Sequence, residues 1–457
     1  MGPEYLRIVS DLILYAKAKG MSFWIYDENG WPSGPAGGKV LARHSELECK
    51  WLQIEKLGMN GLREPGQRLA SFRHPDDGEL YYVCLRAKRG VSFLDPKATA
   101  AFIEITHEGY RKGLDPEAFA HVTGFFSDEV AFLDGHSVSV QFGGVPWADH
   151  FPDRYRARYG EDPLPHLPLL FMEGEGYERF RTRYWEMMTD LLVEGFYRPV
   201  KEWCEANGKL FTAHLKAEEN PFFQLAYSGS CFQVLREVTL PAVDALERFP
   251  GNHFYPRIAH SVAVQQGRQG CLVEALGGSG WGLSPEHFIR YILWLAGHGI
   301  NHFVLHLNQF RLKTESVHDW PPSMPCHLSW KDAFPSVLRE VKRRAVSHRN
   351  LEERPDLLIV TPTRGVMAGF NPSEAMQINE HDGSNVPDTR SGRISNDFLR
   401  LVDQCYRAGI HYELTEERIV EDHGSIINGK LRIGRREYDR VLMADGCLWK
   451  TDMEDRL

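Results

Sequence analysis

The stretch MSFWIYDENGWPSGPAGG, residues 21–38, is a short apolar run from Phe23 to Tyr26 that breaks into acidic and then Gly/Pro-rich residues. A strand buried on both faces and feeding a loop reads this way. The pattern recurs in VTGFFSDEV (122–130), KLFTAHLKAEE (209–219), AVDALE (242–247), GCLVEALGGSGWG (270–282) and INHFVLHLNQF (300–310). Between these runs lie helical stretches. Residues 4–20 place Tyr5, Ile8, Val9, Leu12, Ile13 and Ala16 at helical spacing and end on Gly20. Residues 176–206 form a long amphipathic segment bent near Pro199, and residues 285–298 start with Ser284 as N-cap and Pro285 at the first helical position. Strands alternating with helices predict a mostly parallel α/β sheet. Six or seven such units over about 330 residues favour a (β/α)8 TIM-like barrel over a doubly wound sheet.

Two segments fall outside that period. Residues 45–95 read as a short helix, SELECKWLQIEKLG, followed by a hairpin turning at Asp76-Asp77-Gly78, an α+β insertion in a barrel domain spanning 1–350. Beyond the basic, polar linker near residue 350, residues 351–457 run strand, helix, strand, hairpin-like pair and final strand. This is a second, smaller α/β unit of Rossmann-like order, without the G-x-G-x-x-G of dinucleotide binding.

Composition narrows the partners. The 457 residues are 42% hydrophobic and 25% charged, ordinary globular values, and 53 Lys+Arg against 62 Asp+Glu leave a net charge of −9. That sign argues against nucleic acid. No apolar run approaches the roughly 20 residues that span a bilayer, and the N-terminal helix carries charges inside its apolar stretch, unlike a signal peptide. The eight cysteines are widely spaced with no C-x-x-C pair, and read as reduced thiols of a cytoplasmic protein. Homo-oligomerisation is left open. Eleven Trp and 12% aromatic residues raise the prospect of an aromatic-lined cleft.

In a (β/α)8 barrel the strand ends carry the chemistry. Carboxylates collect there: Asp27, Glu28, Asp128, Glu129, Glu218, Glu219, Glu247 and Glu274, with His214, His302 and His306. Several unpartnered carboxylates at an apolar mouth are costly unless they bind a cation or share protons. Glycoside hydrolysis asks for two carboxylates in different environments, one protonated and one ionised. Additional carboxylates are hard oxygen ligands suited to Ca2+. Trp24, Trp31, Trp147, Trp281 and Trp320 fall in or beside strand-end loops, where a flat ring can stack on a sugar, although most tryptophans of any protein are core. His302 and His306 would share a strand face, yet no H-E-x-x-H, P-loop or G-x-S-x-G is present.

WIYDENGWPSGPAGG (24–38), FFSDEV (125–130) and VEALGGSGWGLSPEHFIRYILWLAGHGINHFVLH (273–306) resemble the α-L-rhamnosidase-like glycoside hydrolases of family 106. The resemblance covers most of residues 4–350. It implies a barrel that hydrolyses terminal rhamnosides with inversion, using strand-end glutamates and a Ca2+. On that basis Glu129 and Glu274 are the expected catalytic pair. Asp27, Glu28, Trp31, His214, Trp281 and His306 are the expected substrate contacts, and Asp128, Glu218 and Glu219 the expected metal ligands. Residues 356–447 resemble the glutamine-amidotransferase-like domain that follows the barrel in such hydrolases and in some β-galactosidases. Relative to the family, the first barrel strand is missing and the second domain is incomplete. Two alternatives stand beside a rhamnosidase: a degenerate, non-catalytic carbohydrate-binding barrel, and a glycosidase of other specificity such as a β-galactosidase.

Overall fold

The computed structural model describes residues 1–56, 66–133, 143–246, 251–349, 355, 357–372 and 386–456. The chain divides into two compact units, one of Met1–Ala217, Pro221–Thr239 and Thr363–Asn396, the other of Glu218–Asn220, Leu240–Pro362 and Asp397–Leu457.

The strands of the first unit are β1 (Phe23–Tyr26), β2 (Glu48–Lys56), β3 (Gln67–Arg73), β4 (Leu80–Val91), β5 (Val122–Asp128), β6 (Gly144–Trp147) and β7 (Leu210–His214). β1, β5 and β7 form a parallel sheet with β5 in the middle, so Tyr26 lies opposite Phe126 and Asp128 opposite His214. The helix Pro3–Ala18 leads the unit, as the apolar spacing predicts.

The insertion differs from expectation in one element. Residues 48–56, read as part of a helix, are strand β2 of an antiparallel sheet ordered β3-β4-β2-β6. β2 pairs with β4 on one side and β6 on the other. A helix here would leave both neighbours with unpaired backbone groups, so the ladder overrides the helical spacing of Trp51, Leu52 and Ile54. The hairpin turns where expected, with Gly78 at φ 68 donating its N–H to the His74 carbonyl at 2.9 Å.

The long segment 176–206 is a helix, Tyr177–Leu192, a π-turn, Val193–Tyr197, and a second helix, Arg198–Ala206. Pro199 has no N–H to give to residue 195, and its ring crowds that carbonyl, so the ladder widens one turn ahead of it. Gly195 is required there, because a Cβ would lie 2.0 Å from the Phe93 carbonyl oxygen.

The second unit contains β8 (Leu240–Ala245), β9 (Leu272–Ala275), β10 (His302–Leu305), β11 (Leu357–Thr361), β12 (Tyr412–Glu416), β13 (Gly424–Ile427), β14 (Lys430–Ile433), β15 (Arg436–Tyr438) and β16 (Val441–Met443). β8, β9 and β10 are parallel with β9 central. Val243, Val273 and Ala275 pack on Tyr255, Tyr291 and Leu295 of the intervening helices. β11 is flanked by β12 and β16, all parallel, and β13, β14 and β15 form an antiparallel meander.

The compact units do not part at residue 350. Gln265 donates its side-chain amide to the Leu414 carbonyl and the Tyr438 hydroxyl, both at 3.0 Å, and the Leu414 N–H donates to Ser261 Oγ at 2.9 Å. Buried N–H donors are costly to leave unpaired, and these bonds bind β12 to the helix Tyr255–Gln266. Thr363–Asn396 instead packs in the first unit, where Arg364 Nε meets Glu186 Oε1 at 2.7 Å with both side chains under 10% exposed. Six parallel strands are described in the region expected to form eight, three in each unit. No disulfide joins the eight cysteines, and no described helix is long and apolar enough to cross a membrane.

Arg364→Met removes the guanidinium that faces the buried Glu186 carboxylate. The variant is expected to lose about 3 kcal/mol, read as a fall in the urea midpoint of the first unit. An unchanged midpoint would show that the pair does not hold the helix Thr363–Gly369 in place.

Candidate active site

The loop after β1 returns to the end of β5 and is fastened there by main-chain and side-chain bonds. The Ser33 N–H donates to the Asp128 carbonyl and the Asp128 N–H donates to Ser33 Oγ, both at 2.9 Å. Ser33 Oγ in turn donates to Asp27 Oδ1 at 2.6 Å, and Ser127 Oγ to Asp27 Oδ2. Asp27 is fully buried, and His107 Nε2 lies 3.6 Å from it inside a box of Phe102, Phe125 and Trp203 rings. Burial pushes the Asp27 carboxyl up to about 8, against the pull of its two serines, and pushes the His107 imidazole down to about 3. At neutral pH both are uncharged.

Glu28 is fully engaged by the same loop. Its carboxylate accepts the backbone N–H groups of Asn29, Gly34, Ala36 and Gly37 at 2.6–3.0 Å. The loop runs so close to Phe93 that a Cβ on Gly34, at φ 117, would lie 2.0 Å from that ring. Asp27 and Glu28, expected as substrate contacts, hold the loop in this structure.

Glu129 follows β5 at φ 48, a left-handed backbone that non-glycine residues seldom adopt. Its side chain is half-buried. Trp31 Nε1 donates to Glu129 Oε2 at 2.5 Å, and the Lys216 ammonium lies 4.8 Å from the centre of the same indole. Desolvation raises the carboxyl to about 7, helped by Asp128 and opposed by His214, Lys216 and the indole N–H. Glu129 thus combines a proton held to neutral pH with access to solvent, which is what a general acid needs.

Asp128 accepts from the Tyr26 hydroxyl at 2.9 Å and sits 3.3 Å from His214 Nε2. His214, expected to touch substrate, is 1% exposed and braces Asp128 from below. Trp31 reaches the site through its N–H to Glu129. Trp24 and Trp147 are packing residues: a Cβ on Gly124 would meet the Trp24 ring at 2.4 Å, and Trp147 is buried in β6.

In the second unit Glu274 is half-buried near the end of β9. Glu218 is buried and accepts the Asp244 N–H at 2.8 Å, whereas Glu219 is exposed and its carbonyl takes the Asn252 side-chain amide at 2.7 Å. His306 lies against Gly277, where a Cβ would be 2.7 Å from its ring. Trp281 is 38% exposed, with Nε1 donating to the Val317 carbonyl at 3.0 Å. Glu247 lies outside the described residues.

Calcium takes six to eight oxygen ligands. The oxygens of Asp128 and Glu218 already accept protein N–H or O–H groups, and among the described residues neither unit alone gathers three metal-ligating side chains. No step is therefore assigned to a metal. Ser33, Ser127, His107 and Lys216 were not singled out from the sequence. The pattern Trp-Pro-Ser-Gly for Ser33, and the place of Lys216 just beyond β7, are the signals that could have marked two of them.

The Asp27 carboxyl has a stability signature. Its folded value lies above the unfolded one of 3.8, so its contribution is whole below about pH 4 and is lost as pH rises toward about 8. Asp27→Asn mimics the neutral form and is expected to make the fall in stability between pH 5 and pH 8 shallower in urea titrations. An identical slope would mean that Asp27 is ionised in the folded protein.

No family model and no curated protein matches the chain. Among solved structures it is similar to the rhamnosidase from Novosphingobium sp. PP1Y, at 15% identity and TM-score 0.56, over 80% of this chain and 34% of that one. It is also similar to the β-galactosidase of the Antarctic haloarchaeon Halorubrum lacusprofundi, at 11% identity and TM-score 0.53, over 95% of this chain and 60% of that one. A β-galactosidase from the psychrophilic Marinomonas ef1 gives 11% identity and TM-score 0.55, over 98% and 65%. The chain thus spans about a third of the rhamnosidase and less than two thirds of either galactosidase. These neighbours are glycoside hydrolases, and they include rhamnosidase and β-galactosidases alike without singling out family 106. At such identities the likeness is one of fold. Together with the parallel βα units, it makes this chain an α/β protein of TIM-like barrel type with the fold of glycosidases.

Proposed function

We propose that the protein is a glycoside hydrolase in which Glu129 donates a proton to the departing glycosidic oxygen. The observation that carries this reading is the half-buried Glu129 carboxyl, raised to about 7 and held by the Trp31 indole. Protonation of the leaving oxygen lets the C–O bond break toward an oxocarbenium-like state, and an ionised second carboxylate then either activates water or attacks the sugar. Glu274 is the second carboxylate of this reading. The substrate is a terminal sugar, with a rhamnoside cleaved by inversion as the first choice and a β-galactoside as the second, the latter favoured by the two β-galactosidase neighbours. Asp27, Ser33 and Glu28 position the loop that presents Trp31 to Glu129. Ca2+ is an optional part of the proposal, tested by chelation.

Aryl rhamnosides and aryl galactosides, assayed with and without a chelator, test the activity, and proton NMR of the first-formed anomer tests inversion. Turnover is expected to fall above about pH 7 as Glu129 loses its proton. Glu129→Gln should cost about 10^2–10^4-fold on glycosides with poor leaving groups and much less on nitrophenyl glycosides, which depart without a proton. Trp31→Phe removes a bond that lowers the Glu129 value, so its alkaline limb should move upward. Glu274→Gln should remove turnover of both substrate types. A folded protein that cleaves no aryl glycoside would overturn the enzyme reading in favour of a non-catalytic carbohydrate-binding barrel.

A further inference from the structure

We infer that the helix Pro3–Ala18 is a self-association surface, on which two copies of this chain pair antiparallel about a two-fold axis midway between Ile8 and Leu12. The inference does not depend on the glycosidase reading. Among the apolar positions that mark this helix in the sequence, Ile13 and Ala16 are buried, whereas Tyr5, Ile8 and Leu12 stay out of the core. With Met1 and Tyr15 these three make a stripe of large apolar side chains, each 41–62% exposed. The steps from Met1 to Tyr15 are four, three, four and three residues, the seven-residue repeat by which one helix packs along another.

The helix is seated firmly by its other face, within the first unit, so the stripe is not a loose flap. The Tyr5 and Tyr110 hydroxyls are hydrogen-bonded at 2.9 Å, and Ser10 Oγ accepts the Asp115 N–H at 3.0 Å. Leu6 lies so close to the helix His107–Gly113 that a Cβ on Gly113 would be 2.4 Å from it. Half of each large side chain is on the order of 100 Å², so two such stripes would bury on the order of 1,000 Å² between them, near the lower bound for a specific interface. A second copy fits this stripe because the repeat matches itself: turned about the axis, Ile8 packs on Leu12 of the second copy and Tyr5 on its Tyr15. The end charges select the direction. Glu4 lies in the first turn, Lys17 in the last, and Lys19 caps the helix. Antiparallel helices bring Glu4 to the lysines of the other copy at both ends, whereas a parallel pair would set Glu4 on Glu4 and lysine on lysine. Lys17 also reaches Glu117 Oε1 of its own copy at 2.9 Å, and the Lys19 ammonium lies over its own Tyr15 ring at 5.4 Å, beside the stripe. Asp11, close to the axis, is neutralised by Arg7 of its own helix at 3.1 Å.

Sedimentation velocity of the 457-residue chain at low salt, from about 1 to 200 µM, reads the association. A monomer–dimer equilibrium in the micromolar range is expected for an interface of this size. Leu12→Glu and Tyr15→Glu alter side chains that the core does not use, so each is expected to keep the parent's urea midpoint and to weaken the dimer about tenfold or more. Lys19→Glu is expected to weaken it severalfold, and Glu4→Lys combined with Lys19→Glu to restore it, because the exchange returns opposite charges to each end. A chain that stays monomeric throughout, whether or not it takes up lipid vesicles, would overturn the inference, and so would a dimer indifferent to Leu12→Glu and Tyr15→Glu. Loss of the dimer together with a lowered urea midpoint in both variants would assign the stripe to the fold and overturn it as well. A dimer that Lys19→Glu leaves unchanged would overturn the antiparallel pairing.

Discussion

Desolvation of one carboxyl governs the site. Glu129 is drawn partly out of water at the end of β5, and the cost of ionising it there keeps its proton to about pH 7. The left-handed turn at φ 48 points the side chain away from the strand direction and costs about 1–3 kcal/mol. That strain persists because the surroundings over-determine it. Ser33 clasps the backbone of Asp128, the residue before, and the Trp31 N–H reaches the carboxyl itself.

The loop between residues 27 and 38 is the instrument of that restraint. Two acids that from the sequence look available to a ligand are consumed in building it: Asp27 as a neutral, buried acceptor for two serines, and Glu28 as the anchor of four amides. Neutral Asp27 and neutral His107 lie next to an apolar, aromatic layer, so this buried pair adds no charge beneath the loop. Lys216 and His214 oppose the upward shift from the other side, which sets the Glu129 value near neutrality rather than far above it.

Strand positions were legible because each is an apolar run ended by polar residues: β1, β5, β7, β9 and β10 fall within those runs, and β8 overlaps its run but starts two residues earlier, at Leu240. The β2 segment was misread because the partners that make it a strand, β4 and β6, lie about 30 and 90 residues away and leave no local mark. The fate of the C-terminal region was hidden for the same reason: the Gln265 to Leu414 bond and the Arg364 to Glu186 pair are long-range. At the site, residue type pointed to acids at strand ends and Glu129 among them, while the division of labour did not show. Whether an acid serves a ligand or a loop depends on which amides and hydroxyls reach it, as Glu28 and Asp27 illustrate. Trp24 and Trp31 are seven residues apart in one motif, yet one packs on Gly124 and the other holds Glu129.

The central claim is that desolvation lifts the Glu129 carboxyl from the ordinary glutamate range to about 7, so that a large share of the molecules still carry its proton at neutral pH, and carboxyl-carbon NMR of the intact protein, assigned with Glu129→Gln, measures this directly. The account predicts a titration midpoint near 7. A midpoint close to the ordinary glutamate value of 4.5 would contradict it.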